Sequence, residues 1–139
     1  MDKLSQERRS ANMRAVKGRD TQPEMVVRRL AHRLGYRFRL HRADLPGKPD
    51  LAFPGRRAVI FIHGCFWHGH DCKKGTLRPE ANADFWEVKL NRNVERDREQ
   101  LAQLENAGWR ALVIWQCELK DAANLAARLS QFLDKFPRI

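Results

Sequence analysis

Residues 59 to 72, Val-Ile-Phe-Ile-His-Gly-Cys-Phe-Trp-His-Gly-His-Asp-Cys, crowd Cys65, His68, His70 and Cys72 into one short stretch, with His63 just ahead. The spacing Cys65-x4-His70-x-Cys72 supplies three nitrogen and sulfur ligands, and Cys117, the only other cysteine, supplies a fourth. A closed Cys3His tetrahedron is a structural zinc site. A lone cysteine is usually a small buried hydrophobe. Here all three cysteines and three of the five histidines fall into one constellation, which argues for metal. With His70 rather than His68 as the nitrogen ligand, His68 is left free for catalysis. A zinc-fixed loop would hold it rigidly, and an imidazole titrates near neutrality, so His68 is a candidate for the proton transfer that activates water.

Phe66 and Trp67 lie between the ligands. A rigid loop can hold such rings out as wedges that enter a base stack, or the same rings can roof a small core. Spacing alone leaves the two readings open.

The elements that must position this loop are legible. Val59 to Ile62 is an apolar, β-branched run bounded by Gly64, the pattern of a buried strand. Thr21-Gln22-Pro23-Glu24 has the form of a capping box with proline in the first turn, and Val27, Leu30, Ala31 and Leu34 follow at helical spacing. The pattern predicts a helix from about 23 to 34, and the cap alone is a sufficient reason for Glu24. Tyr36 to His41 alternates with period two, as a half-buried strand does. Leu45-Pro-Gly-Lys-Pro49 is a turn, and Leu51 to Phe53 pairs with Ala58 to His63 around Pro54-Gly-Arg-Arg57. In that register Asp50 faces Phe61, with His63 as its diagonal neighbour. Residues 73 to 83 lack periodicity and form a loop. Phe85 and Trp86 open a helix to about Ala107, with Val88, Val94, Leu101 and Leu104 expected inside and Gly108 beyond its end. Trp109 to Trp115 is a second buried strand, and a strand-helix-strand unit favours a right-handed parallel crossover. Parallel neighbours bring like ends together, so Cys117 should land beside the Cys65 loop. Asp121 caps a last helix bearing Leu125, Leu129, Phe132 and Leu133.

Composition bounds the function. The chain has 139 residues, enough for one domain, and 27 Lys plus Arg against 17 Asp plus Glu give a net charge of +10. That excess points to a polyanionic partner, nucleic acid above all. No stretch approaches a membrane span, no N-terminal apolar region reads as a signal peptide, and three cysteines do not make a disulfide framework, so a cytoplasmic, nucleoid-associated monomer is expected. Residues 1–20 carry Arg8, Arg9, Arg14, Lys17 and Arg19 without an apolar stripe and read as a basic arm, with Met13 able to press into a groove. A merely solvated tail is the other reading. Residues 21–139 form the single folded domain.

The run Phe61-Ile62-His63-Gly64-Cys65-Phe66-Trp67-His68, with Pro49-Asp50 upstream and Asn93-Val94-Glu95-Arg96-Asp97 downstream, resembles the very short patch repair (Vsr) endonucleases, nucleases specific for T:G mismatches. The resemblance runs from Asn12-Met13-Arg14 to Trp115-Gln116-Cys117. It implies an α/β fold of the restriction-endonuclease-like PD-(D/E)xK type, a mixed sheet flanked by helices. The implied activity nicks one strand 5′ of a T mispaired with G after deamination of 5-methylcytosine. The implied partners are mismatched duplex DNA and MutL-like and MutS-like repair proteins. The resemblance further implies a DNA-embracing N-terminal segment with Met13 and Arg14, a general-base role for His68, an acidic residue at the site edge in Glu24, phosphate-facing roles for Asn93 and Arg96, and a third DNA-facing aromatic in Trp86. A hard divalent cation such as Mg2+ needs a carboxylate anchor with open positions, and Asp50 is the best one. In PD-(D/E)xK nucleases a second acid and a lysine sit on the adjoining strand. Here those places read Ile62 and His63, and Ile62 departs from the threonine frequent in the family, which leaves its backbone carbonyl as a Mg2+ ligand. Two rivals stand beside this reading: a restriction-like nuclease cutting matched duplex, and a non-catalytic zinc-stapled DNA-binding module.

Overall fold

The computed structural model describes residues 21–73, 75–76 and 80–135. The basic arm with Met13 and Arg14 lies outside the described residues. A four-stranded mixed sheet has the order β1-β2-β3-β4. Its strands are β1 (Arg39–Leu40), β2 (Leu51–Phe53), β3 (Ala58–His63) and β4 (Arg110–Trp115). Its helices are α1 (Gln22–Arg33), α2 (Ala83–Asn106) and α3 (Ala122–Lys135).

Side-chain alternation along β2 and β3 builds two cores. Leu51, Phe53 and Ile60 face one way and join Val27 and Ala31 of α1 and Leu125, Leu129 and Leu133 of α3. Ala52, Val59 and Phe61 face the other way, onto Leu104 of α2. Each buried leucine here is worth about 2–5 kcal/mol against alanine. The sheet is therefore clamped from both sides, and its strand ends are fixed in space.

The antiparallel β2–β3 register pairs Leu51 with Ile60 and Phe53 with Ala58. A 3-10 turn over Pro54–Arg56 closes this hairpin, with Arg57 in the left-handed region at φ 52°. β3 and β4 run parallel, the last pair being His63 with Trp115. Two residues beyond that pair on each strand lie Cys65 and Cys117, so the crossover delivers both cysteines to one end of the sheet.

Four expectations are corrected. The first strand is only Arg39–Leu40, because at His41 the backbone turns left-handed, φ 48°. β4 is an edge strand with mostly half-buried side chains, not a buried one. Thr21 makes no side-chain cap on α1, and Glu24 turns inward instead, where it meets Arg28 and His41. In α2, Val88 is exposed and Leu90 is buried. Two residues from Leu90 is about 200° around a helix, whereas Val94, Leu101 and Leu104 share its side. The Asp121 cap is present: its carboxylate accepts from the Asn124 backbone N–H at 3.0 Å.

Candidate active site and metal centre

Three groups of side chains gather where β2 begins and β3 and β4 end. In the first, Sγ of Cys65, Cys72 and Cys117 and a ring nitrogen of His70 lie within 4.8 Å of one another. His70 Nδ1 is 3.5 Å from Cys117 Sγ, and its ring stacks on Trp115 at 4.2 Å. Cys65 is 1% exposed. Burial pushes its thiol up to about 11, with Cys72 and Cys117 adding to the rise and a backbone hydrogen bond opposing it. A buried thiol among thiols is costly to ionise unless a cation is present to hold the thiolates. The donor set fits a tetrahedral metal of the zinc type.

The second group is built on the loop after β3. His68 Nδ1 lies 2.6 Å from Asp97 Oδ2 on α2. A carboxylate only accepts, so Nδ1 carries the proton and Nε2 presents its lone pair. His63 is stacked face to face on His68, centroids 3.7 Å apart and rings 4° from parallel. Burial takes His63 down to about 4, with His68 lowering it further and Asp97 opposing, so its ring is neutral at physiological pH. α2 also grips the loop through Asn93, whose amide donates to the Trp67 carbonyl at 3.0 Å, and Arg96 in turn donates to Asn93 Oδ1 at 2.9 Å. At Gly69, φ 63°, a Cβ would sit 2.7 Å from Val94, so the loop passes too close to α2 for any side chain.

The third group lies on the α1 side. Glu24 and His41 meet at 2.9 Å, and Asp50 completes a set of three ligand atoms within 4.8 Å of one another. Arg28 pairs with Glu24. Asp50 Oδ2 accepts the Ile62 backbone N–H at 2.7 Å. Burial raises the Asp50 carboxyl to about 6; the Ile62 hydrogen bond opposes this, Glu24 adds to it and His41 opposes it. The carboxylate is thus poised against a shortage of positive charge, which a divalent cation would relieve.

Sequence reasoning brought Asp50, His63, His68, Glu24 and the four Cys/His ligands to one end of the sheet, and they are found there. Asp50, however, has Glu24 and His41 as its neighbours, while His63 joins His68 and Asp97. Ile62 is half-buried, packs on the α1–α3 core and meets Asp50 through its N–H. Phe66, Trp67 and Trp86 are half-buried and lean edge to face on one another, 5.2–5.9 Å between centroids. Lys89 lies 5.7 Å over Trp67 and 5.6 Å over Trp86, and Phe85 stands out beside them, 59% exposed. Reasoning from sequence missed Asp97 as the partner of His68, and Arg28 and His41 as partners of Glu24. The first had a signal, since Asp97 recurs with Asn93 and Arg96 on one face of α2.

Carboxylates at one end of the sheet beside a histidine held by a carboxylate are the groups that phosphodiester hydrolysis uses. Residues 1–74 match the family model described as DNA mismatch endonuclease Vsr. The chain is 53% identical to Type II nicking enzyme V.XorIIP of Xanthomonas oryzae pv. oryzae, over 96% of this chain and 97% of that one. It is 44% identical to DNA mismatch endonuclease Vsr of Escherichia coli, over 84% of this chain and 74% of that one. With Type II nicking enzyme V.NmeAIP of Neisseria meningitidis the identity is 39%, over 95% and 94%. The chain belongs to the Vsr family of DNA mismatch endonucleases, and it is a DNA endonuclease.

Proposed function

We propose that this endonuclease nicks one strand of duplex DNA 5′ of the T in a T:G mispair, in repair of deaminated 5-methylcytosine, with Mg2+ as its catalytic cation and zinc as its structural one. The observation that carries the hydrolytic part is the His68–Asp97 contact of 2.6 Å beside the Asp50 cluster. Asp97 fixes the tautomer and orientation of His68, so that Nε2 can take a proton from the attacking water. His63, neutral and stacked against His68, keeps that ring from turning. Asp50 and Glu24, with the Ile62 carbonyl, would hold Mg2+, which when bound supplies charge for the developing phosphorane and positions water. Cys65, His70, Cys72 and Cys117 would hold zinc and lock the loop that carries His68.

Substrate choice rests on the aromatic cluster. A mismatched step is cheaper to unstack than a paired one, so rings offered by Phe66, Trp67 and Trp86 gain most where the duplex is already weak. Arg96, Asn93 and the arm with Met13 and Arg14 face the phosphates and groove in this reading, and the net charge of +10 supports them. MutL-like and MutS-like proteins are the partners it implies. No helix among the described residues is long and apolar enough to cross a membrane.

The test sets end-labelled duplexes with T:G, T:A and C:G at one position side by side, with Mg2+. A single nick 5′ of the T, confined to the T:G duplex and to the strand carrying T, is expected. Equal cutting of matched duplex would replace mismatch repair by a restriction-like activity.

A further inference from the structure

The cluster on the α1 side holds a ligand that neither a carboxylate-only Mg2+ site nor the phosphate-facing surface needs. His41 follows β1, and its backbone N–H donates to the Asp50 carbonyl at 3.2 Å, which ties the two residues together. It takes up a left-handed conformation, φ 48°, uncommon for any residue with a side chain. The result is an imidazole with a side-chain exposure of 7%, whose Nε2 sits among the carboxylates of Glu24 and Asp50 while Nδ1 is buried without a hydrogen-bond partner. The Arg28 guanidinium pairs with Glu24 and lies 3.5 Å from His41 Nε2. A positive group thus already occupies one side of the space that the three ligand atoms enclose.

Mg2+ favours an all-oxygen shell and keeps several waters, whereas imidazole favours first-row transition ions. Two carboxylates and one imidazole within 4.8 Å make a mixed oxygen and nitrogen set. We propose that His41 is a nitrogen ligand of the catalytic cation, so that the centre that works with Mg2+ also takes Mn2+ and holds it more tightly through the imidazole. The inference rests on the reading of Asp50 as the cation's anchor. His41 Nε2, which donates to Glu24 here, would present its lone pair to the cation with the ring proton carried on Nδ1 instead, and Arg28 pairs with the Glu24 carboxylate beside it.

The experiment uses the zinc-loaded, full-length protein with Mn2+ as the probe and two readouts, the Mn2+ dissociation constant from the free-ion paramagnetic resonance signal and the electron spin echo modulation of the bound ion. Wild type is expected to bind Mn2+ more than about tenfold tighter than Mg2+ and to show imidazole nitrogen modulation. His41→Gln, which keeps a polar group against Glu24, should lose that modulation and about tenfold in Mn2+ affinity, with Mg2+ affinity nearly unchanged. Thermal unfolding of the variant checks that its fold is intact, and the wild-type spectrum needs no variant at all. Bound Mn2+ that Asp50→Asn abolishes, but without nitrogen modulation in wild type, would overturn the His41 ligand and leave the Asp50 anchor standing. Modulation that persists in His41→Gln and disappears in His63→Gln would also overturn it. Mn2+ binding indifferent to Asp50→Asn would remove the anchor itself, and the inference with it.

Discussion

His68 and Asp97 stand 29 positions apart in sequence and meet at 2.6 Å, joining a loop that follows β3 to the middle of α2. The contact costs the loop its freedom and gives the histidine a fixed tautomer, which is what a general base requires before any substrate arrives. His68→Ala should therefore lower nicking by about 100-fold or more. Asp97→Asn, which can still hydrogen-bond but offers an amide in place of a charge, should lower it by roughly 10-fold or more. Binding of mismatched duplex should change little in either variant. Single-turnover nicking alongside a binding titration checks this, and an Asp97→Asn enzyme with undiminished single-turnover rate would leave the contact purely structural.

Zinc is the second expectation. Cys65 and Cys117 lie two residues beyond the last β3–β4 pair, and Cys72 and His70 close the set. Protein purified without added metal should contain one zinc per chain by elemental analysis. Cys117→Ser should lose it and melt at a lower temperature, and because the same loop carries His68, nicking should fall further than stability explains. A Cys117→Ser protein that retains zinc and melts like wild type would break the assignment.

Much of this site was legible because metal ligands and strands leave strong local signals. Three cysteines and a β-branched run bounded by glycine located the sheet end, and the parallel crossover predicted that Cys117 would arrive there. What stayed hidden depended on directions that spacing does not encode. Glu24 matches a capping box, yet burial against Arg28 and His41 pulls it inward. His41 reads as the last residue of a strand, and its left-handed turn is a tertiary outcome. Val88 and Leu90 are both apolar, and only the whole stripe of Leu90, Val94, Leu101 and Leu104 shows which of them faces the sheet.

Asp50 ties the site to pH. Its carboxyl is raised from an ordinary 3.8 to about 6, so the folded protein holds this proton more tightly than the unfolded chain does. Below about 4 the group is protonated in both states and costs nothing. Between about 4 and 6 the unfolded chain gives up the proton that the fold still holds, so stability worth up to about 3 kcal/mol is lost as pH rises, and the loss is complete once the folded group ionises above 6. Without added Mg2+, Asp50→Asn should therefore be more stable than wild type at pH 7, and the gap should close towards pH 4. Added Mg2+ should raise the melting temperature of wild type only, and nicking by the variant should be abolished. Thermal melts at several pH values test the sign, and a variant less stable than wild type at pH 7 would show that the carboxylate is not strained.

The aromatic cluster allows the sharpest separation of stability from recognition. Phe66, Trp67 and Trp86 touch one another but none is buried, so part of each ring's contact energy is already present and part remains available to a base stack. A fully buried ring changed to alanine costs about 3–5 kcal/mol. Here each single change should cost less than about 2 kcal/mol, and Trp67→Ala and Trp86→Ala should cost more than Phe66→Ala because each also loses the Lys89 ammonium over its face. The main loss should appear elsewhere, as a fall of about tenfold or more in affinity for T:G duplex, with weak association to matched DNA kept because the basic surface supplies it. Denaturant melts and competition binding on the two duplexes measure both quantities for the same protein. If Trp67→Ala melts as far below wild type as a core variant such as Leu129→Ala while its preference for T:G duplex is unchanged, the rings are a roof over the zinc loop, and discrimination must then come from the groove contacts of α2 and the basic arm.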